Sequence, residues 1–291
     1  MLDVPARPHG EGAGINVDGL ADHLATARLS VSEEKLHIAG HAPLAWPQQR
    51  RCYEEAATLA VSFLIRQLRP RVVFDVGANT GYFSRVAASY LEAPPLVHGF
   101  EMRPASLDVM KDALAGDGLG ERVTAHPAVL TDRHQGERNV WHSGMKAFEQ
   151  EPSDGQWRLP PWRRVALALR GQKQILSKSR VIVTSIDHFV AEHGLVPGVI
   201  KIDVDGYEGR VLRGGLGTFT SHKPAIALEL HKDRKLRFGD TRQGVVRMMT
   251  DLGYKALFLT DHHDRKACRV VEVDSAHPLI ARQETDFIIL C

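Results

Sequence analysis

The sequence has little of what marks several large classes of protein. Only three of its 291 residues are cysteine, and their positions, 52, 268 and 291, fit neither a metal-binding cluster nor a disulfide framework. No apolar run approaches the roughly 18 residues that a membrane-spanning helix needs. The first residues also lack the apolar stretch of a secretory signal. These absences predict a protein of the reducing cytoplasm.

A strong charge of either sign is missing too. The sequence has 37 Lys and Arg against 35 Asp and Glu, so its formal net charge is only +2. Without a large field, we expect neither a nucleic-acid partner nor stable membrane insertion. Hydrophobic residues make up 43% of the chain, which is too many for a disordered protein and enough for a large core.

The pattern of apolar residues divides the chain into two parts. Residues 1–20 are rich in Gly, Pro and Ala, and we expect no regular structure there. Apolar residues then recur at helical spacing over residues 48–68, and Pro70 ends this helix. We therefore predict an N-terminal extension with a cap helix over residues 1–69, and a main domain over residues 70–291.

Short apolar runs alternate with helical stretches throughout the main domain. Such alternation is typical of an α/β fold, in which a mostly parallel sheet has helices on both faces. The final run, at residues 286–290, is a strand with no helix after it. Strands are predicted at residues 71–76, 96–101, 122–125, 199–203, 225–230, 254–259 and 286–290.

A glycine-rich turn, DVGANTG, joins the first of these strands to a helix. Gly77 and Gly81 let the backbone approach a ligand closely, and Asp75 can accept hydrogen bonds from it. Glu101 ends the second strand twenty positions after Gly81, where such folds place an acid for ribose hydroxyls. Together these residues favour an adenosine-type ligand over a turn that binds nothing. Asn79 stands where a dinucleotide fingerprint needs glycine, which weakens the alternative of a nucleotide-dependent oxidoreductase.

Five segments in this order resemble the FkbM family of S-adenosylmethionine-dependent methyltransferases. They are VFDVGANTGYFSRVAA, VHGFEMRP, VTSIDHF, IKIDVDGYEGRVLRGG and PAIALELH, and they extend from about Val72 to His231. The resemblance implies a class I methyltransferase fold, which is a Rossmann-like, seven-stranded sheet whose last strand is antiparallel. It also implies S-adenosylmethionine as the cofactor and O-methylation as the usual activity.

The resemblance assigns roles to individual positions. It implies that the turn lines the methionine and ribose parts of the cofactor, that Glu101 holds the ribose hydroxyls, and that Asp203 lies beside the sulfonium. Ala128 and Val129, expected just after the third strand, would contact the adenine. The complete set of implied cofactor-binding residues is Asp75, Gly77, Asn79, Gly81, Glu101, Ala128, Val129 and Asp203. Met102 and Arg103 depart from the usual proline and asparagine of the family.

Charged residues at the ends of the fourth and fifth strands are the candidates for catalysis. Residues two apart on a strand share a face, so Lys201 points the same way as Asp203, and Glu229 the same way as His231. A hydroxyl must lose its proton to accept a methyl group, and His231 has the most suitable ordinary pKa for a base. Asp203 is the second candidate. The acceptor would be a small molecule or a glycan: a sugar, lipid or secondary metabolite. A catalytically silent binding module of the same fold is the alternative.

A divalent metal is a further alternative that we do not favour. Asp203, Asp205, Glu229 and His231 offer oxygen and imidazole ligands suited to an ion such as Mg²⁺, but their spacing is not that of a closed site. Glu208 is expected only to begin a helix, where an acid favours the helix dipole.

Two polar stretches interrupt the alternation. Residues 142–180 carry eight Lys and Arg against three acids, together with Trp157 and Trp162, and form an insertion. We interpret it as a lid or acceptor-binding segment, with a solubilising surface loop as the alternative and a membrane-surface helix as a weaker one. His262 and His263 lie in a second polar loop, and we expect both to be exposed.

Overall fold

The computed structural model describes residues 15–46, 54–143, 146–148, 151–153, 158–169, 175–282 and 284–291. These residues form nine helices and fourteen strands. The helices are α1 (Val17–Thr26), α2 (Glu55–Leu68), α3 (Tyr82–Ala88), α4 (Pro104–Gly116), α5 (Pro161–Ala168), α6 (Ile186–His193), α7 (Glu208–Arg213), α8 (Leu216–His222) and α9 (Arg242–Asp251). None of these helices is long and apolar enough to cross a membrane.

Three strands belong to a small N-terminal sheet and eleven to the main sheet. The small sheet contains β1 (Leu29–Ser32), β2 (Lys35–Ile38) and β3 (Leu44–Ala45). The main sheet contains β4 (Val72–Val76), β5 (Leu96–Glu101), β6 (Val123–Leu130), β7 (Gly136–Ser143), β8 (Lys146–Phe148), β9 (Ser177–Thr184), β10 (Val199–Ile202), β11 (Ala225–Leu230), β12 (Ala256–Leu259), β13 (Val270–Val273) and β14 (Asp286–Leu290).

The order of the central strands confirms the α/β fold of the class I methyltransferase type. Seven strands run in the order β12-β14-β11-β10-β4-β5-β6, and the last in the chain, β14, is antiparallel to both of its neighbours. Four strands that the sequence pattern did not predict extend this unit. β13 adds to one edge, and β9, β7 and β8 continue the sheet beyond β6.

β6 is twice as long as its apolar pattern predicted. It continues through Pro127 to Leu130, so Ala128 and Val129 lie inside the strand and do not follow it. Proline lacks a backbone N–H, and β6 tolerates it because β9 pairs with this strand only from Ala128 onward.

Alternate residues of the buried strands pack into two separate cores. Val73 faces the core formed with α2, α3 and α4, whereas Phe74 faces the one formed with α6, α7, α8 and α9. The sheet is therefore the middle layer of three, and the carboxyl ends of its parallel strands lie along one side of the molecule.

The N-terminal part is more ordered than expected. α1 begins at Val17, so the expectation of no regular structure is wrong for residues 17–20, while residues 1–14 lie outside the described part. The Asn16 side chain caps this helix by accepting a hydrogen bond from the Gly19 amide at 3.0 Å. The cap helix is present as α2, described from Glu55, and it ends at Arg69 in a left-handed conformation.

Candidate active site

A hollow lies at the carboxyl edge of the sheet, where β4, β5, β6 and β10 end. The empty space in and above it, counting the open mouth, is about 930 Å³. Six of the eight residues predicted to bind the cofactor line it: Gly77, Asn79, Glu101, Ala128, Val129 and Asp203. The position is the one where α/β sheets bind their ligands.

Gly77 lets β4 and β10 meet closely at this edge. Its φ of +80° is in the left-handed region, and a Cβ there would lie 1.8 Å from the backbone oxygen of Asp203. No other residue fits this position without moving the end of β10.

The other two predicted residues, Asp75 and Gly81, are not among those lining the hollow. The Asp75 carboxylate is buried behind the turn, where Oδ2 accepts a hydrogen bond from the Ser84 hydroxyl at 2.6 Å. Its Oδ1 has no partner among the described residues. Burial raises the pKa of Asp75, and the nearby Lys201 ammonium opposes that rise. Gly81 precedes α3 with a φ of +81°.

Glu101 is buried and lines the hollow, and both of its carboxylate oxygens accept hydrogen bonds. Its Oε2 accepts a hydrogen bond from the Asn79 amide at 2.9 Å, and its Oε1 accepts one from Arg103 Nε at the same distance. The Arg103 side chain also donates to Asn79 Oδ1 at 2.9 Å. The arginine that departs from the family pattern therefore holds the two residues expected to face a ribose.

One wall of the hollow is apolar and comes partly from the added strands. Val140 of β7 and Val183 of β9 line it together with Ala128 and Val129 of β6. Val140 and Val183 belong to a small buried cluster against which Met102 packs. A flat apolar ring such as adenine would find a matching surface here. The two strands that flank the insertion, β7 and β9, thus complete the side of the hollow predicted for the cofactor.

A polar cluster adjoins the hollow at the ends of β10 and β11. Lys201 Nζ donates to Asp203 Oδ2 at 3.1 Å, and it lies 4.8 Å from the centre of the Phe83 ring. Burial alone would raise the pKa of Asp203, but Lys201 and His231 outweigh that effect and hold it below its usual value. Burial and the charge of Asp203 raise the pKa of Glu229 to about 8, so Glu229 keeps its proton near neutral pH. Its carboxyl group donates a hydrogen bond to Asp203, which helps to hold the pKa of Asp203 down.

His231 is held in this cluster by a residue that the sequence analysis did not include in the site. Its Nδ1 lies 2.5 Å from Glu208 Oε1, and Glu208 is fully buried. Its Nε2 faces Asp205 and Glu229 at 3.6 and 3.7 Å. Burial would lower the pKa of His231, but the hydrogen bond and the charge of Glu208 raise it above the usual value. Glu208 begins α7 as predicted, but its carboxylate points at the imidazole.

The same cluster could hold a metal ion. Asp203, Glu229 and His231 each offer one ligand atom, and these atoms lie within 4.8 Å of one another. Asp205, the fourth predicted ligand, instead accepts a hydrogen bond from Lys235 Nζ at 2.7 Å. Lys201 already brings a positive charge to Asp203, so the carboxylates are neutralised by the chain itself.

The chain matches a known family and several solved structures. The family described as "Methyltransferase FkbM domain" matches residues 75–256, whereas no curated protein matches. A methyltransferase FkbM from Methylobacillus flagellatus KT is 11% identical with a TM-score of 0.44, and the match covers 94% of this chain and 58% of that one. An O-methyltransferase from Bacillus cereus in complex with SAH is 12% identical with a TM-score of 0.38, covering 80% and 78%. A SAM-dependent methyltransferase from Agrobacterium tumefaciens is 12% identical with a TM-score of 0.43, covering 90% and 71%.

These structural likenesses are too distant to argue for shared chemistry. The family match does not depend on them, since it spans well over half of the chain and contains the turn, Glu101, Asp203 and His231. The chain belongs to the FkbM methyltransferase family, as the five sequence segments predicted.

Proposed function

We propose that the protein is an S-adenosylmethionine-dependent O-methyltransferase whose acceptor is a hydroxyl of a small molecule or glycan. One observation carries this proposal: Asp203 lines the hollow and also belongs to the polar cluster. A donor in the hollow would therefore have its reactive end beside groups that can orient a hydroxyl and accept its proton.

The residues around the hollow fit the donor. Glu101 would hold the ribose hydroxyls, Ala128 and Val129 would contact the adenine, and Gly77 leaves room at the turn because it has no Cβ. Asp75 Oδ1, buried and without a partner among the described residues, is a further acceptor close to this turn. S-adenosylmethionine supplies a methyl group on positively charged sulfur, which a nucleophile removes by in-line displacement.

His231 is the proposed base. Glu208 fixes the orientation of its ring through Nδ1, which leaves Nε2 to accept the proton of the acceptor hydroxyl. Asp203 remains an anion near neutral pH and would orient the acceptor. A raised pKa makes His231 a stronger base but leaves less of it deprotonated at neutral pH. We expect turnover to increase as the pH rises through that pKa.

A divalent ion, if bound, would be held by Asp203, Glu229 and His231 and would make an acceptor hydroxyl more acidic. The proposed mechanism assigns neutralisation of the carboxylates to Lys201, so we expect full turnover after treatment with a chelator. Loss of turnover that Mg²⁺ restores would favour the metal alternative.

The cofactor assignment is tested by calorimetric titration with S-adenosylhomocysteine. We expect the wild-type protein to bind it, and the variant Glu101→Gln to bind about 5- to 150-fold more weakly, which is the effect of losing roughly 1–3 kcal/mol in a charged hydrogen bond. Glu121→Gln, on an exposed carboxylate just before β6, is the matched control and should bind as the wild type does. Equal affinity in both variants would contradict the role of Glu101. Binding without any methyl transfer would favour the silent module.

We also propose that the enzyme works in the cytoplasm. Cys268 and Cys291 are free cysteines, and the former is buried, which suits a reducing compartment.

A further inference from the structure

One segment of the molecule exposes its apolar side chains to solvent. Trp162 and Val165 of α5 and Leu169 just after it are 67%, 59% and 84% exposed. Positions i, i+3 and i+7 lie on one face of a helix, so these side chains form a stripe. Among the described residues, no part of the protein packs against that stripe.

Positive charge accompanies the stripe. Arg163 and Arg164 are exposed on the same helix, and neither has an ion-pair partner among the described residues. The Arg163 guanidinium carbon lies 5.1 Å from the centre of the Trp162 ring. Between positions 155 and 180 the sequence contains seven Lys and Arg and no acid, although the whole chain has a net charge of only +2.

Exposed apolar side chains beside positive charge are complementary to the surface of an anionic lipid bilayer. Exposed aliphatic side chains and a tryptophan, beside arginines with no ion-pair partner in the described part of the chain, suit the boundary between lipid headgroups and acyl chains, where tryptophan is enriched. Such arginines add attraction to anionic headgroups, about 1 kcal/mol each. A protein partner would need acidic side chains and an apolar groove side by side. A bilayer of anionic lipid has negative headgroups and an apolar interior over its whole area.

We propose that α5 is a peripheral anchor that lies on anionic membrane, with Trp162, Val165 and Leu169 in the headgroup region and Arg163 and Arg164 on the phosphates. Such a helix lies on the bilayer and does not span it, in keeping with its length of eight residues. The inference does not depend on the proposed chemistry.

The position of α5 in the chain gives the anchor a consequence for the enzyme. It lies in the connection between β8 and β9, and β9 supplies Val183 to the wall of the hollow. His142, at the end of β7, is close enough to Glu101 and Arg103 for their charges to affect its pKa. The anchor therefore lies in the connection between β7 and β9, the two strands that supply Val140 and Val183 to the wall of the hollow.

Vesicle flotation of the full chain tests the proposal. We expect the protein to float with vesicles of equimolar phosphatidylcholine and phosphatidylglycerol, and to remain in the bottom fraction with vesicles of phosphatidylcholine alone. Binding to the anionic vesicles should decrease as the salt concentration is raised. The double variant Arg163→Gln/Arg164→Gln should have a partition coefficient into anionic vesicles about thirtyfold lower than the wild type, which corresponds to roughly 2 kcal/mol. Trp162→Ser/Leu169→Ser should weaken it at least as much.

Two control variants make the same changes elsewhere. Arg133→Gln/Arg247→Gln removes two exposed arginines of other elements, and Leu91→Ser/Val109→Ser removes two exposed apolar side chains. Both should float as the wild type does. Circular dichroism and a cofactor titration confirm that every variant is folded.

Three results would overturn the proposal. The wild type could stay behind with anionic vesicles, the α5 variants could float as well as the wild type, or the controls could lose binding equally. If the wild type stays behind and is a dimer in sedimentation that Trp162→Ser/Leu169→Ser dissociates, the stripe is an interface between two copies of this chain.

Discussion

At the scale of single residues, strand periodicity is enough to find most of the polar cluster. Residues two apart on one strand share a face, which pairs Lys201 with Asp203 and Glu229 with His231. The two pairs meet because they lie at the carboxyl ends of neighbouring strands. Strand periodicity misses Glu208, because an acid at the start of a helix normally needs no further explanation. Only the packing of α7 beside the end of β11 reveals that its carboxylate reaches the imidazole.

His262 shows the opposite error. The polar sequence around it predicted exposure, but the residue is buried, because its carbonyl accepts hydrogen bonds from the Ala56 and Ala57 amides at the start of α2. These two amides are unsatisfied within their own helix, so they draw the loop inward. The contact joins segments about 200 positions apart, and no local pattern could indicate it. His263, its neighbour, is exposed as predicted.

Glu208 should act on the reaction through His231. We expect Glu208→Gln to lower the pKa of His231, because the carboxylate charge that raises it is removed. Turnover should fall, and the rising limb of its pH profile should move to lower pH. Histidine titration by NMR and the pH dependence of kcat check this. Glu192→Gln, which alters an exposed carboxylate 3.7 Å from His188, is the control. An unchanged His231 pKa would rule out the positioning role.

At the scale of elements, the turn after β4 depends on the close approach that Gly77 permits. Gly77→Ala combines a left-handed φ with a clash against the Asp203 backbone and should cost at least about 3 kcal/mol. Gly118→Ala has a similar φ of +69° but open space around it, so it should cost about 1–2 kcal/mol from backbone strain alone. Urea unfolding of both variants measures the difference. Equal losses would show that the close approach to β10 is unimportant.

The insertion is recognisable from its charge but not from its apolar pattern. The strands at its two ends, β7 and β9, were not predicted. β7 has only two buried residues, and β9 pairs with this segment some 40 positions earlier in the chain. Our interpretation of a lid or acceptor-binding segment assigned it to the acceptor. Val140 and Val183, which line the wall predicted for adenine, flank this segment and do not belong to it, so the acceptor role of residues 142–180 stays a prediction.

At the scale of the whole molecule, four buried or half-buried histidines are kept neutral by their surroundings. Burial lowers the pKa of His23, His41, His126 and His262 from 6.5 to about 4. His41 is satisfied as a neutral ring, with Ser62 and Ser89 hydroxyls at 2.8 and 3.1 Å. Such groups take up protons in the unfolded chain at a pH where the folded protein does not.

These histidines predict loss of stability in acid. Because their folded pKa values lie below the unfolded value, their full contribution is present above about pH 6.5 and is lost as the pH falls toward 4. At about pH 5, each of these histidines should lower the free energy of unfolding by up to roughly 2 kcal/mol relative to neutral pH. The free energy of unfolding should therefore drop steeply between pH 7 and about pH 5. Urea titrations across this range measure it. His41→Gln should flatten the dependence, and His193→Gln, at an exposed position, should leave it unchanged.

The proposed function requires a sulfonium donor in the hollow at the ends of β4, β5, β6 and β10. A crystal structure of the protein soaked with S-adenosylhomocysteine tests it most directly. We predict ribose density within hydrogen-bonding distance of Glu101, adenine against Val129, Val140 and Val183, and sulfur facing Asp203. Ligand density elsewhere on the protein, or a hollow that stays closed to a ligand shown to bind in solution, would contradict the account.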